Sequence, residues 1–347
     1  MDKGLDIQIE EALKAYLVSG VEEQVNYQRF YLYSIVTHST AIEGSTITEI
    51  ENQLLFDEGI AAKGRSLSEQ IMNVDLKDAY LHAFQMASEN PIYSPQLLQQ
   101  LAALVMRRTG SEYSTIAGKF DSSKGEFRLC NVSAGIGGKS YLAYNKVPQA
   151  VNDFCKWINE KIAQIDKKDI AACYRLSFEA HFQLVTIHPW VDGNGRTTRL
   201  LMNMIQHQLG LIPSIVRKED KGEYIQSLVD SRENDDSTIV QDTMLRHHIT
   251  NLNRRVSQYQ ENDGVNIGND GLNDGVKKDN EGLKLLNKTH LRVYQAILNK
   301  PEIKSIELME ILNISESTVT RATRELKKLG FIKRMGSDKT GKWQILK

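Results

Sequence analysis

Apolar residues recur at helical spacing through most of the first 260 positions, and punctuation residues cut the pattern into separate helices. Thr48-Glu49-Ile50-Glu51 fits a capping box ahead of NQLLF, with a hydroxyl and a glutamate three residues on satisfying each other's open backbone N–H groups. Ser66-Leu67-Ser68-Glu69 is a second box, before a run ending near Ala87. Ser94-Pro95 places an N-cap before a proline at the first helical position and opens PQLLQQLAALVMRR. Asp169 opens IAACYRLSFEAHFQLVTIH, which is apolar nearly all round and predicts a buried central helix. Pro189 disfavours helical geometry at His188 and ends that helix there. Another begins near Asn194, carries Leu201, Ile205 and Leu209 at four-residue spacing, and is stopped by Gly210. Residues 118–147 break the pattern. They are rich in Gly, Ser and Asn, with the β-type pieces EFRLCNV and SYLAY, and predict a small hairpin or an irregular flap.

Beyond residue 255 the pattern lapses, then resumes differently. QENDGVNIGNDGLNDGVKKDNEG is dominated by turn formers, with Asn-Asp-Gly at 262–264, 269–271 and 273–275, and reads as a flexible linker over 256–283. Three amphipathic stretches follow: KTHLRVYQAILNK, SIELMEILN, and SESTVTRATRELKKLG ending at Gly330. FIKRMGSDKTGKWQIL then reads as two strands joined by a Gly/Ser/Asp/Lys turn.

Composition adds less. With 347 residues, 41% hydrophobic and 25% charged, the chain suits a soluble protein of about two domains. No apolar run approaches the roughly 18 residues of a membrane span. The start, MDKGLDIQIEEALKAYL, is acidic and amphipathic, without a signal-peptide core. Cys130, Cys155 and Cys173 are odd in number and form no C-x-x-C pair, which points to a reducing, cytoplasmic compartment. The net charge of −1 hides an asymmetry: residues 284–347 hold 14 basic against 6 acidic residues, +8, which leaves −9 for residues 1–283. The two ends are built for different partners.

Chemistry concentrates in His188-Pro189-Trp190-Val191-Asp192-Gly193-Asn194-Gly195-Arg196-Thr197-Thr198-Arg199. One buried helix ends in a histidine, a glycine-bracketed loop follows, and a second helix begins. Gly193 and Gly195 allow a ligand to approach the backbone, and the new helix presents unpaired N–H groups with a positive dipole. Arg196 and Arg199, three apart, reach phosphate oxygens from the same helix end. Asp192 is a hard oxygen ligand for Mg²⁺, which binds through one or two carboxylates plus substrate phosphates. A histidine beside such a cradle suits a general base because its pKa lies near neutrality. Each feature alone is ordinary for a helix–loop–helix corner; together within twelve residues they read as nucleotide phosphoryl or nucleotidyl transfer.

The segment resembles the Fic family motif, H-x-F-x-D/E-G-N-G-R-x-x-R, complete except for Trp190 in place of Phe. The resemblance extends over residues 25–250, with a Gly-rich flap at Ile136, Gly137, Gly138 and Lys139. It implies an all-helical Fic fold with a β-hairpin flap, divided as an N-terminal helical region at 1–110 and a catalytic core at 111–255. The implied reaction transfers AMP from ATP to a Ser, Thr or Tyr hydroxyl of a target protein, and to the protein itself. In that scheme His188 deprotonates the hydroxyl and Asp192 holds Mg²⁺. Gly193, Asn194 and Gly195 form the anion cradle, while Arg196 and Arg199 grip the β- and γ-phosphates with Thr197 and Thr198 beside them. Tyr224 and Ile225 meet the adenine. Gly195 speaks against a family branch that carries Lys there and transfers phosphate.

Upstream, Ser39-Thr40-Ala41-Ile42-Glu43-Gly44 resembles the family's inhibitory signature, S/T-x-x-x-E-G/N. The resemblance implies that Glu43 pairs with Arg199 and makes ATP bind unproductively. Read without it, the same residues are a helix end followed by a Gly stop.

Residues 284–347 resemble the winged helix-turn-helix class. Thr318, Thr320, Arg321 and Arg324 would face a DNA major groove, with Lys339 and Lys342 on phosphates. The same fold serves protein contacts and dimerisation, so a homodimer stands beside DNA as a partner. AGIGGKS at 134–140 lacks the first glycine of a P-loop, adjacent His247 and His248 point apart on a helix, and Met202 and Met204 read as core. Two rival readings remain: a DNA-binding regulator with a nucleotide-sensing Fic domain, and a bifunctional enzyme that also removes AMP.

Overall fold

The helices begin where the caps place them. A computed structural model describes residues 2–24, 26–134, 139–261, 290, 293–294, 296–297, 301–312, 316–335 and 342–346. Helix α1 spans Lys3–Ser19, α2 Tyr27–Ile42, α3 Glu49–Glu58, α4 Leu67–Ser88 and α5 Pro95–Met106. Both capping boxes form, at Thr48/Glu51 and Ser66/Glu69, and Ser94 Oγ accepts the Leu97 N–H at the head of α5. Then come strands β1 (Glu112–Thr115) and β2 (Gly118–Asp121), and helices α6 (Val147–Gln164), α7 (Ile170–Ile187), α8 (Asn194–Gln208), α9 (Lys221–Asn234) and α10 (Thr238–Glu261).

The centre of this unit is α7 against α8, with α4 and α5 closing around α8. Both central helices are buried along most of their length, as the all-round apolar pattern of α7 requires. Helix α1 lies along α10 and touches α7. Arg175 of α7 fixes that junction, donating to Asp6 of α1 (2.8 Å) and Asp242 of α10 (2.6 Å). One hydrophobic core runs from Leu5 to Val256, so residues on both sides of position 110 share it.

Residues 118–147 take the irregular form of the two expected: a regular hairpin lies earlier, pairing Glu112 with Asp121 and Thr115 with Gly118, and neither EFRLCNV nor SYLAY is a strand. Their backbone groups are committed elsewhere: the Arg128 N–H donates to Pro189 O (3.0 Å), Leu129 O accepts from Thr115 Oγ1 (3.1 Å), and the Tyr144 N–H donates to Asn131 Oδ1 (3.0 Å). Among the described residues the two limbs of this segment meet antiparallel at Ser133 and Ser140, with the Ala134 N–H on Lys139 O (3.2 Å) and the Tyr141 N–H on Val132 O (3.0 Å). The expected flap residues Ile136, Gly137 and Gly138 lie outside the described residues, as do most of the 256–283 linker positions.

The chain divides into two units, residues 1–271 and 272–347. The second contains helical residues at 293–294 and 296–297, helices α11 (Ser305–Leu312) and α12 (Glu316–Lys328), and an antiparallel ribbon of β3 (Ile332–Met335) with β4 (Lys342–Ile345). Its own core joins Val293, Ile297, Leu308, Val319, Leu326 and Trp343, and Trp343 Nε1 donates to Ile303 O (3.2 Å). Three helical segments and a two-stranded wing are the architecture expected. Among the described residues no helix is long and apolar enough to cross a membrane.

Gly125 tests how tightly the segment before the central helices is seated. Its φ is +69°, and a Cβ there would lie 1.9 Å from Gln99 O on α5. A left-handed backbone costs a side chain about 1–2 kcal/mol, and this contact cannot relax without moving helix backbone. Gly125→Ala is expected to lower the urea midpoint by the equivalent of about 2 kcal/mol or more. An unchanged midpoint would show that the segment moves aside freely.

Candidate active site

Helix α7 stops at His188 with φ 54° and ψ 62°, in the left-handed region rather than the extended one that Pro189 favours. A non-glycine residue held there is strained, so its surroundings must fix it. Arg128 Nε donates to His188 O (2.8 Å), and Tyr141 stacks on the imidazole at 3.8 Å and 15°. The guanidinium of Arg232 lies over the Tyr141 ring (5.3 Å). His188 Nδ1 is 3.3 Å from Val185 O, which can only accept, so the proton sits on Nδ1 and Nε2 keeps its lone pair. Burial, with Arg128 and Arg232 nearby, pushes the imidazole pKa down to about 4 against the opposing pull of the Val185 carbonyl and Glu43. The near-neutral titration expected from the residue type is therefore corrected: desolvation keeps this histidine neutral, a proton acceptor rather than a donor.

The loop after it is locked by its own polar groups. Asn194 Oδ1 accepts the Trp190 N–H (3.1 Å) and its Nδ2 donates to Trp190 O (2.8 Å), so the Asn194 side chain shapes the loop from within. Trp190 is buried with its indole N–H on Gly125 O (3.0 Å), a bond that phenylalanine could not make. Gly193 has φ 76°, and a Cβ on it would meet Met106 Sδ at 2.7 Å. Asp192 is exposed; its Oδ1 accepts the Gly193 N–H (2.6 Å) and lies 3.7 Å from Arg196 Nη2.

The first turn of α8 carries buried positive charge. Arg196 is buried, and its Nε and Nη1 have no hydrogen-bond partner among the described residues. Burial lowers its pKa, a cost normally offset by an anion. Thr197 is buried with Oγ1 also unpartnered, whereas Thr198 Oγ1 turns back to Asn194 O (2.9 Å) on its own helix. Arg199 is the answered one. Its Nη2 donates to Glu43 Oε1 (2.6 Å) and Ser39 O (2.9 Å), and its Nε to Ser39 Oγ (2.9 Å). Burial alone would raise the Glu43 pKa, but the charge and hydrogen bond of Arg199 outweigh it and hold the carboxyl below its usual range. Glu43 caps α2, whose end is pinned by a buried network. Thr40 Oγ1 donates to Asn73 Oδ1 (2.8 Å), Asn52 Nδ2 donates to both Thr37 Oγ1 (2.7 Å) and Asn73 Oδ1 (2.9 Å), and Asn73 Nδ2 donates to Ser45 Oγ (3.1 Å).

The structure thus gathers His188, Asp192, Gly193, Gly195, Arg196, Arg199, Ser39 and Glu43 around one helix start. It does not bring Tyr224 to an open face. That ring is buried, its hydroxyl 2.8 Å from His181 Nε2 and beside Arg199, which places it beneath the arginine rather than on a base. Its neighbour Ile225 is exposed. Lys139 pairs with Glu233 (2.9 Å) at the surface. Sequence reasoning missed Arg128, Tyr141, Met106 and His181. Only Arg128 left a signal, a charge inside the otherwise apolar EFRLCNV. Among the described residues no group of three or more His, Cys, Asp and Glu could hold a metal alone. A cation here would need ligands from the substrate, and the exposed Asp192 carboxylate fits that arrangement.

Comparison with known proteins finds likenesses in both units. Residues 92–206 match the Fic/DOC family model, and residues 286–333 match a winged helix-turn-helix DNA-binding model. The chain is 30% identical over 203 residues to protein adenylyltransferase Fic of Drosophila erecta and 28% identical over 204 residues to protein adenylyltransferase fic-1 of Caenorhabditis elegans. Each match takes in 58% of this chain but only 37% and 36% of those relatives' length. A Fic-domain signaling protein from Bacteroides thetaiotaomicron superposes with a TM-score of 0.60 at 18% identity, over 75% of this chain and all of the other. A Fic family protein from Desulfovibrio desulfuricans gives 0.59 at 18%, over 99% and 94%. These likenesses show the fold.

The buried state of His188 has a measurable sign. Its folded pKa lies below the ordinary value of about 6.5, so its contribution to stability is complete above that pH and is lost as pH falls toward 4. Histidine-selective NMR titration, assigned with His188→Ala, is expected to place its midpoint well below pH 6. A midpoint at 6.5 or higher would mean the ring is solvated.

Proposed function

We propose that this chain, which carries a Fic/DOC domain and a winged helix-turn-helix domain, is a self-restrained protein adenylyltransferase. The observation that carries the reading is the pairing of a neutral histidine, its Nε2 lone pair unspent, with a buried Arg196 at a helix start whose Nε and Nη1 have no hydrogen-bond partner among the described residues. ATP would supply the missing anion, its phosphates meeting the α8 N–H groups, the Gly193–Gly195 backbone and Arg196. A Ser, Thr or Tyr hydroxyl of a target protein, or of the chain itself, would attack the α-phosphorus. The new bond joins that oxygen to phosphorus, the α–β bridging bond breaks, pyrophosphate leaves, and the hydroxyl proton passes to His188 Nε2. Mg²⁺ bound between Asp192 and the phosphates would offset their charge.

Restraint follows from Glu43. Its carboxylate sits on Arg199 against Gly195 and takes the place of a phosphate oxygen at the helix start. While the pair holds, Arg199 is withheld from the γ-phosphate and ATP binds in an unproductive pose. The adenine cannot rest on the buried Tyr224, which serves instead beneath Arg199. The second unit supplies a separate activity. On α12 the positions Val319, Ala322 and Leu326 are buried while Arg321, Arg324, Lys327 and Lys328 are exposed, a basic face suited to DNA. Lys339 lies outside the described residues.

Incubation with α-labelled ATP tests the enzyme reading. Glu43→Gly is expected to raise label incorporation at least about tenfold, equivalent to about 1.4 kcal/mol of released competition for Arg199. Arg199→Ala in that background should be inactive. His188→Ala should cost about 10²–10⁴-fold while ATP binding changes only a few-fold, because the base acts in proton transfer rather than phosphate binding. Full transfer by the His188 variant would remove it from the reaction, and a Glu43 variant no faster than wild type would reduce the upstream motif to a helix end.

Fluorescence anisotropy on duplex DNA tests the second unit. With about four phosphate contacts, log K should fall against log[salt] with a slope near −3.6. Arg321→Ala and Arg324→Ala should weaken a preferred sequence more than random DNA. Absence of binding at low salt would leave the basic face as a docking surface for an acidic protein.

A further inference from the structure

Arg128 is wholly buried, yet among the described residues its guanidinium donates to three backbone carbonyls and to no carboxylate. Nε donates to His188 O (2.8 Å), Nη1 to Cys130 O (2.7 Å) and Nη2 to Leu142 O. Its own N–H donates to Pro189 O (3.0 Å). Burying a guanidinium on neutral acceptors is costly, so these bonds mark a geometry that nothing simpler holds. Cys130 and Leu142 stand on the two limbs joined by the Ser133–Ser140 bridge, the segment that passes beside His188. The third carbonyl belongs to the strained left-handed residue itself. Tyr141, next to Leu142, lays its ring on the imidazole.

We propose that Arg128 is the positioning residue of AMP transfer: it joins the two described limbs, 129–134 and 139–143, to the backbone of His188. This rests on the reading of the site as an adenylyltransferase. A segment that presents the target hydroxyl is useful only at a fixed separation from the base that takes its proton. A displacement of about 1 Å costs on the order of 10²-fold in rate without touching nucleotide affinity. Lysine cannot replace arginine here, since one ammonium on a flexible stem does not span three carbonyls in different directions. The charged groups facing the imidazole are Arg128 from this segment, Arg232 from α9 and Glu43 from the end of α2.

The test uses the full chain in the Glu43→Gly background, with Arg128→Lys and Arg128→Gln. Both are expected to lose about 10²-fold in kcat for label transfer, with KM for ATP within about threefold. Tryptic cleavage after Lys139, which is exposed, should accelerate about tenfold as the limbs come loose. The His188 titration midpoint should rise in both variants as the ring loses its cover, and further in Arg128→Gln, which also removes the charge. Unchanged kcat in Arg128→Lys, or unchanged cleavage at Lys139, would overturn the proposal. If the Glu43→Gly parent transfers no label, the enzyme reading fails, while cleavage and titration still decide the clamp. Should the Arg128 variants not fold, Tyr141→Leu removes the ring and leaves the clamp. Cleavage at Lys139 should then stay at the parental rate, and acceleration would mean that stacking, not Arg128, holds the segment.

Discussion

Two guanidiniums are buried against the first turn of α8, where the helix already presents positive charge: Arg199 is held by Glu43 at 2.6 Å, whereas Arg196 has the exposed Asp192 carboxylate at 3.7 Å and, among the described residues, no hydrogen-bond partner for Nε and Nη1. Much else in the first unit follows from that imbalance. The Glu43–Arg199 pair bridges 156 positions and requires the end of α2 to sit at the mouth of α8. The buried Thr37, Thr40, Asn52 and Asn73 network meets that requirement by fixing the last turn of α2 against α3 and α4. Breaking such a pair from one side leaves a buried charge, so the contact is costly to open unless another anion takes over the role of the carboxylate. On the function proposed above, competition between two anions for one arginine would act as a switch that needs no moving domain.

The parts legible in the sequence were those that local chemistry decides. Capping boxes at Thr48 and Ser66, the Ser94-Pro95 start, the buried character of α7 and the stop at His188 depend on residues within a few positions of one another. The twelve-residue motif was legible for the same reason, being one helix end, one loop and one helix start. What escaped depends on distant partners. The strand character of EFRLCNV was overridden because its backbone bonds run to Pro189 and to Thr115. Tyr224 was placed one layer too far out, since only the packed fold shows His181 and Arg199 closing over it. The low pKa of His188 comes from burial, which its residue type does not disclose.

The second unit shows the same division. Its helices and wing follow from amphipathic spacing, and the wing register, Ile332 with Ile345, sends Trp343 into the core as the alternation requires. Lys327 and Arg334 lie over the Trp343 ring at 5.2 Å and 4.7 Å, so part of the basic charge seen in composition also packs the wing. The surplus charge is therefore not all available to a ligand. Arg321 and Arg324, on the exposed face of α12, carry most of the weight in any argument for DNA.

Gly195 links the two motifs more tightly than either does alone. A Cβ at that position would lie 2.4 Å from Glu43 Oε1 and 2.9 Å from Arg199 Nη1. Its backbone is ordinary helix, so the constraint is one of space rather than of conformation. Even a methyl group there would force the Glu43 carboxylate and the Arg199 guanidinium to shift from their present contact. The converse also holds: an upstream glutamate reaching this site is only useful where position 195 is bare. The glycine in the downstream motif and the glutamate in the upstream one therefore fit each other in space and in charge, and the anion competition proposed above rests on that fit.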